Sequence, residues 1–251
     1  MYNEEILLNI TEEWFAEWFD TPFYHILYEN RDYKEAQRFI DNLENYFSFR
    51  TTDHILDLAC GKGRFAKYLN QRGYEVTGID LSEQSIKEAK AFANMRLHFH
   101  AGDMRALPEN KTYHYVLNMF TSFGYFNTEI ENEKAIASMA AVLNLGGILV
   151  LDFLNTQRII TTLPQEFSKK NNGIEFHIRK DIKDSFIIKD ISFEVNNEFY
   201  SFQERVMAIS QEMFERYFEK NNLKIIKMVG NYSLEPYTKQ SDRMIFIAQK
   251  V

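Results

Sequence analysis

The sequence predicts an α/β fold in which helices flank a parallel sheet, preceded by a helical segment and interrupted by an inserted antiparallel sheet. Three observations predict it. Between residues 54 and 153, short apolar runs alternate with helix-spaced segments, the pattern of successive βα units. From Ile174 to Val206 the apolar period drops to two, as in antiparallel strands with one wet face. Ahead of residue 54, aromatic side chains recur at helical spacing.

Each element follows in order. Trp14/Trp18 and Phe15/Phe19 pair at i,i+4 in a first helix, which Asp20-Thr21-Pro22 breaks. Asp32 with Glu35 reads as a capping box for a second helix carrying Ala36, Phe39, Ile40, Leu43 and Phe47 on one face. His54 to Ala59 is a buried strand, Cys60 to Gly63 a turn, and Arg64 to Gln71 a helix. Strands are predicted over Tyr74 to Ile79, Arg96 to His100 and Tyr113 to Met119, with a helix from Ser82 to about Ala93. Thr128 and Glu131 cap a helix ending near Leu143, which Gly146-Gly147 stops before a strand over Ile148 to Phe153. Phe176/Ile178, Phe186/Ile188 and Ile191/Phe193/Val195 mark the alternating strands. A helix over Ser210 to Asn221 precedes strands Leu223 to Val229 and Arg243 to Gln249. Residues 1–50 are thus a helical cap, 51–154 and 207–251 the core, and 155–206 an insertion serving as a lid or a dimer surface.

The 251 residues carry 29 basic and 36 acidic side chains, a net charge of −7 with no basic block, which argues against a nucleic-acid partner. The one cysteine excludes an intramolecular disulfide, and six scattered histidines suggest no metal site. The acidic N-terminus and the absence of a long apolar run predict a cytoplasmic protein without a membrane partner.

The chemistry gathers at four strand ends. In an open parallel sheet these ends share the edge where ligands bind. The first carries Asp57 and a glycine turn through Gly61 and Gly63, where the backbone can turn tightly and approach a ligand. The second ends in Asp80, placed to accept hydrogen bonds from ribose hydroxyls. Gly102-Asp103-Met104 follows the third, and Asn118-Met119-Phe120 ends the fourth. Asp57, Asp80 and Asp103 fall at equal intervals. The glycines with Asp80 also match a dinucleotide fingerprint, so an NAD-dependent oxidoreductase is one alternative. Asp57 and the Gly102-Asp103 pair lie outside that fingerprint and point to a cofactor with an amino-acid tail.

On Ile55 to Gly63, Gly78-Ile79-Asp80-Leu81-Ser82, Ala101 to Met104, Asn118 to Phe120 and Leu145 to Asp152, the chain resembles the class I S-adenosylmethionine-dependent methyltransferases. The resemblance implies a Rossmann-like seven-stranded sheet ordered 3-2-1-4-5-7-6, its last strand antiparallel. It implies S-adenosylmethionine as cofactor and S-adenosylhomocysteine as product. By position, Ala59, Cys60, Gly61 and Gly63 would pack against the methionine moiety, with Asp57 near its amino group. Asp80 would hold the ribose, Leu81 the adenine face, and Asp103 with the Met104 N–H the adenine amino group. Asn118, Met119 and Phe120 would cover the cofactor near the sulfonium. Tyr24 and Arg31, in the cap, would meet its carboxylate. One departure is Tyr113-His114-Tyr115, where the family often has an acidic residue.

The stretch Asn118 to Tyr125 looks like that of bacterial sugar-amine N-methyltransferases, and the Asn-Pro-Pro-Tyr type motif of base-modifying enzymes is absent. Both favour a small-molecule acceptor, methylated at N or O. A cofactor-binding protein without activity is the other alternative. Acceptor-contact candidates are Tyr28, Phe123 and Tyr125, the strand-end residues Asp152 and Asn155, and Tyr232 and Arg243 of the last hairpin. Against these stand plainer roles: packing of Tyr24 on Tyr28, core burial of the phenylalanines, a turn cap for Asn155, a surface ion pair for Arg243. Trp14 and Trp18 would lie in the core or on a homodimer surface.

Overall fold

The computed structural model describes residues 14–28 and 33–251. Arg31 and the Asp32 cap therefore lie outside the described residues.

Helices α1 (Trp14–Phe19), α2 (Pro22–Tyr28) and α3 (Tyr33–Phe47) precede the core. The core then runs β1 (His54–Leu58), α4 (Arg64–Gln71), β2 (Glu75–Asp80), α5 (Glu83–Ala89), β3 (Leu97–Ala101), β4 (Tyr113–Asn118), α6 (Glu129–Ala141) and β5 (Leu143–Leu154). A short α7 (Thr156–Ile160) leads into β6 (Gln165–Asn171), β7 (Ile174–Lys183), β8 (Phe186–Val195) and β9 (Glu198–Met207). The chain closes with α8 (Gln211–Lys220), β10 (Leu223–Val229) and β11 (Arg243–Lys250).

Seven strands form one sheet in the order β10-β11-β5-β4-β1-β2-β3. Strands β1 to β5 pair in parallel, and β11 runs antiparallel between β5 and β10. This is the expected topology. Register explains the shared edge: Leu58 pairs with both Ile79 and Asn118, and Asn118 with Leu151, so the strands end together. The strands are apolar on both faces because helices cover both, as parallel sheets require.

The glycine pair before β5 behaves differently from expectation. Helix α6 ends at Ala141, and β5 already begins at Leu143, paired with Tyr113. Gly146 at φ 76° sits where the β4–β5 ladder shifts register, so the glycines kink a strand and do not separate it from the helix.

Strands β6 to β9 form a second, antiparallel sheet in sequence order. The N-terminal helices dock on it. Trp18, 1% exposed, lies on Phe202 with ring centroids 4.3 Å apart. Phe23 packs against the stacked rings of Phe193 and Tyr200, 4.7 Å from each. The Asn171 amide donates to the carbonyls of Ile26 and Leu27. On the other side, Ser82 Oγ donates to Asp20, and Phe15 meets Phe126 edge-on. The cap thus spans from the second sheet to the carboxyl edge of the first. No helix among the described residues is long and apolar enough to cross a membrane.

Candidate active site

The site begins where β1 stops. Asp57 is 2% exposed, and its Oδ2 accepts the Ala66 N–H at 3.0 Å, in the first turn of α4. Burial pushes this carboxyl up to about 7. The chain then turns back through Ala59 (φ 61°) and Gly61 (φ 53°), both left-handed. Alanine pays a steric penalty there, of about 1–2 kcal/mol, that glycine does not. The turn is pinned from the next strand: Gly61 N–H donates to Asp80 Oδ2 at 2.7 Å, and Ser82 N–H to Asp80 Oδ1 at 2.9 Å. Burial raises the Asp80 carboxyl against these bonds.

These elements floor a cavity of about 360 Å³. Of the expected cofactor residues, Asp57, Ala59, Cys60, Gly61, Asp80, Leu81, Asp103, Met104, Met119 and Phe120 line it. The cap roofs it with Phe15, Phe19, Tyr24, His25 and Tyr28. Burial alone would raise the Asp103 carboxyl, but hydrogen bonds from the Arg105 backbone and guanidinium outweigh it and hold it below the usual value.

Two expected cofactor contacts have other tasks. Gly63 does not line the cavity; a Cβ there would lie 2.6 Å from the Phe99 ring, so this glycine serves helix-to-sheet packing. Asn118 is fully buried, and its amide donates to the Leu58 carbonyl at 3.2 Å, tying the ends of β1 and β4.

A second cavity of about 420 Å³ opens between the core and the second sheet. Tyr28, Arg64, Phe120 and Tyr125 line both cavities and so form the partition. Phe120 (φ 62°) and Thr121 (φ 58°) are consecutive left-handed residues, and strain of this kind persists only where the surroundings hold it. Asp152, fully buried, does the holding. Its Oδ2 accepts the Phe120 N–H at 2.7 Å and the Tyr232 hydroxyl at 2.9 Å. Its Oδ1 accepts Arg243 Nε at 2.8 Å, while the same guanidinium donates to Thr121 Oγ1 at 2.6 Å. The Phe120 ring stacks on Phe65 at 4.8 Å and leans on Tyr232.

The acceptor candidates therefore divide. Tyr28, Tyr125, Tyr232 and Arg243 line the second cavity. Asp152 does not; it supports the partition from beneath. Phe123 is fully buried against Phe214, in the core. Asn155 caps α7 and donates to the carbonyls of Lys239 and Ser241, a structural knot that lines neither cavity. Sequence reasoning missed Arg64, Lys189 and Glu204, which line the second cavity. A signal existed for two of them: Lys189 interrupts the apolar row of Ile187, Ile191 and Phe193, and Glu204 stands between Phe202 and Val206.

Sheet order, glycine turn and strand-end carboxylates define a Rossmann-like protein, a fold in which ligands bind at the carboxyl edge. The comparisons make this specific. A family described as a methyltransferase domain matches residues 55–147. YqeM of Bacillus subtilis (strain 168), whose methyltransferase name is provisional, is 29% identical over 213 residues, 78% of this chain and 83% of its own. A dTDP-3-amino-3,4,6-trideoxy-alpha-D-glucopyranose N,N-dimethyltransferase of Streptomyces venezuelae is 34% identical over 99 residues, 39% of this chain and 41% of its own. The solved structure of a S-adenosylmethionine-dependent methyltransferase from Clostridium acetobutylicum shares the fold, with a TM-score of 0.77 at 20% identity over 94% of this chain and 97% of that one. With a methyltransferase domain at residues 55–147, the chain is an S-adenosylmethionine-dependent methyltransferase. This displaces the nicotinamide reading of the same glycine turn.

The residues present fit that cofactor. A cationic amino group would relieve the cost of ionising buried Asp57, which has one hydrogen bond from Ala66. The Asp80 carboxylate accepts backbone N–H groups from Gly61 and Ser82 and keeps acceptor capacity for ribose hydroxyls.

Proposed function

We propose that the protein methylates a nitrogen or oxygen atom of a small molecule seated in the second cavity. The observation that carries this is the shared partition: Tyr28, Arg64, Phe120 and Tyr125 face both cavities, so a donor on one side and an acceptor on the other meet at one wall. The second cavity has the volume of a small-molecule site. The charge of −7 and the likeness to a sugar-amine dimethyltransferase support the same acceptor class, and with it a cytoplasmic enzyme that needs no nucleic acid.

The cofactor supplies a methyl group on positively charged sulfur, already electrophilic. The protein's task is positioning and exclusion of water. In this reading Asp57 faces the ammonium, Asp80 the ribose, Leu81 the adenine face, and Asp103 with the Met104 N–H the adenine edge. Tyr24 closes the cap over the carboxylate end. Phe120 and Tyr125 present aromatic surface that favours a cation at the partition. Asp152 and Arg243 keep Phe120 in place. The cap and second sheet act together as the lid.

Calorimetric titration with S-adenosylhomocysteine, followed by transfer of labelled methyl from S-adenosylmethionine to a panel of amino sugars, aliphatic amines and phenols, tests the reading. Product binding with methylation of a panel compound supports it. Product binding with no methylation of any small molecule, and methylation of RNA or protein instead, overturns it.

A further inference from the structure

The second cavity holds a half-buried cluster of charged and phenolic groups. Lys189 and Glu204 face each other across the β8–β9 ladder, their side chains each 14% exposed and 3.3 Å apart. Removing an ion pair from water is costly unless further hydrogen bonds satisfy it. The pair converges on the partition. The Tyr28 hydroxyl lies 2.6 and 2.8 Å from the two Glu204 oxygens, and Lys189 Nζ donates to the same hydroxyl while standing 4.5 Å from the ring centroid. Trp18 Nε1 donates to Glu204 Oε1 at 2.8 Å and fixes that carboxylate from the other side. Tyr28 faces both cavities; Lys189 and Glu204 face only the second.

A phenol that accepts from an ammonium and donates to a carboxylate carries a proton between neighbours without moving. We infer that Tyr28, Glu204 and Lys189 form a proton relay for the acceptor atom, an inference that rests on the proposed function. The acceptor's ammonium N–H or hydroxyl O–H bond breaks, and its proton passes to Tyr28 Oη while the Tyr28 proton passes to Glu204. The electron pair left on the acceptor forms the bond to the methyl carbon, as the pair of the methyl–sulfur bond withdraws onto sulfur. Glu204 then returns its proton to water. Lys189 keeps its charge throughout and steadies the phenol oxygen. Among the described residues, the other charged or titratable groups facing this cluster are Arg64, Lys180, Arg243, Tyr125 and Tyr232, which line the same cavity, Tyr24, whose ring packs on Tyr28, and Lys169, which donates to the Leu27 carbonyl.

The test uses the full chain with Glu204→Gln, Tyr28→Phe and Lys189→Met. Glu204→Gln keeps an acceptor for Trp18 and Tyr28 but not a base. Its S-adenosylhomocysteine affinity should stay within about twofold of wild type, while kcat on the best amine of the panel falls by about 100-fold at neutral pH. That loss should shrink as pH rises and the amine deprotonates unaided, which a structural latch would not produce. Tyr28→Phe should show the same pH rescue and so covers a Glu204 variant that fails to fold. Without cofactor or acceptor, Tyr28 ionisation, read as tyrosinate absorbance against Tyr28→Phe, should move up in Lys189→Met and down in Glu204→Gln. If Glu204→Gln keeps kcat within threefold, or loses product binding and activity together at every pH, the relay is overturned and the cluster is a latch. A wild-type protein that methylates nothing in the panel overturns the functional reading itself.

Discussion

The two cavities are built by different means. The floor of the first is made by consecutive residues at the ends of β1 to β4, each with its local backbone: a turn, an aspartate, a glycine. The second takes Tyr28 from the cap, Phe120 from the core, Lys189 and Glu204 from the second sheet and Arg243 from the last strand. In the proposed reading the cofactor is met by strand-end turns and the aspartates they carry, and the acceptor by side chains that only tertiary packing assembles.

The comparison breaks most sharply at Asp152, which belongs to neither cavity yet sets the wall between them. Asp152→Ala leaves Arg243, 20% exposed, without its buried partner and should cost about 3–5 kcal/mol in denaturant unfolding. Adding Arg243→Met should restore much of that stability but not methyl transfer, because Phe120 and Thr121 stay unclamped. If activity returns with stability, the clamp has no positioning role.

Next in size is the cofactor side. Asp80→Ala removes an acceptor that holds Gly61 and Ser82 and faces the cavity, and S-adenosylhomocysteine affinity should fall by about 100-fold in calorimetry. An unchanged affinity would place the nucleoside elsewhere.

Asp57 sharpens the same side through pH. Its carboxyl titrates at about 7 in the folded protein, above its ordinary value of 3.8. The folded state therefore binds the extra proton between these values. Its contribution to stability is full below about pH 4 and is lost as pH rises through 7. Binding of a cationic amino group runs the other way: affinity for S-adenosylhomocysteine should rise by up to about tenfold per pH unit below 7 and level off above it. Asp57→Asn should flatten that dependence.

The smallest effect is at Ala59. Relief of its left-handed strain by Ala59→Gly outweighs the added chain entropy, for a net gain of about 0.5 kcal/mol, seen as a slightly higher Tm with product affinity unchanged.

The legible part of the molecule was the part with local causes. The strand ends, Asp57, Asp80, Asp103 and the capping box at Thr128 were readable because each is dictated within a few residues. Gly63 was readable as necessary but not as a packing glycine, since Phe99, which demands it, lies two strands away. Asn118 and Asn155 look like site residues in sequence because a polar side chain at a strand end serves a ligand or a neighbouring carbonyl equally well.

The sequence by itself determined the class of fold, because periodicity and turn chemistry act over short distances, and its strand-end motifs carried the resemblance that implied the cofactor. Only the tertiary structure decided that Asp152 is a clamp, that Trp18 and Tyr28 are tied to Glu204, and that a second cavity exists at all. Those depend on how β8 and β9 lie against α1 and α2, a contact between segments more than 150 residues apart in the chain.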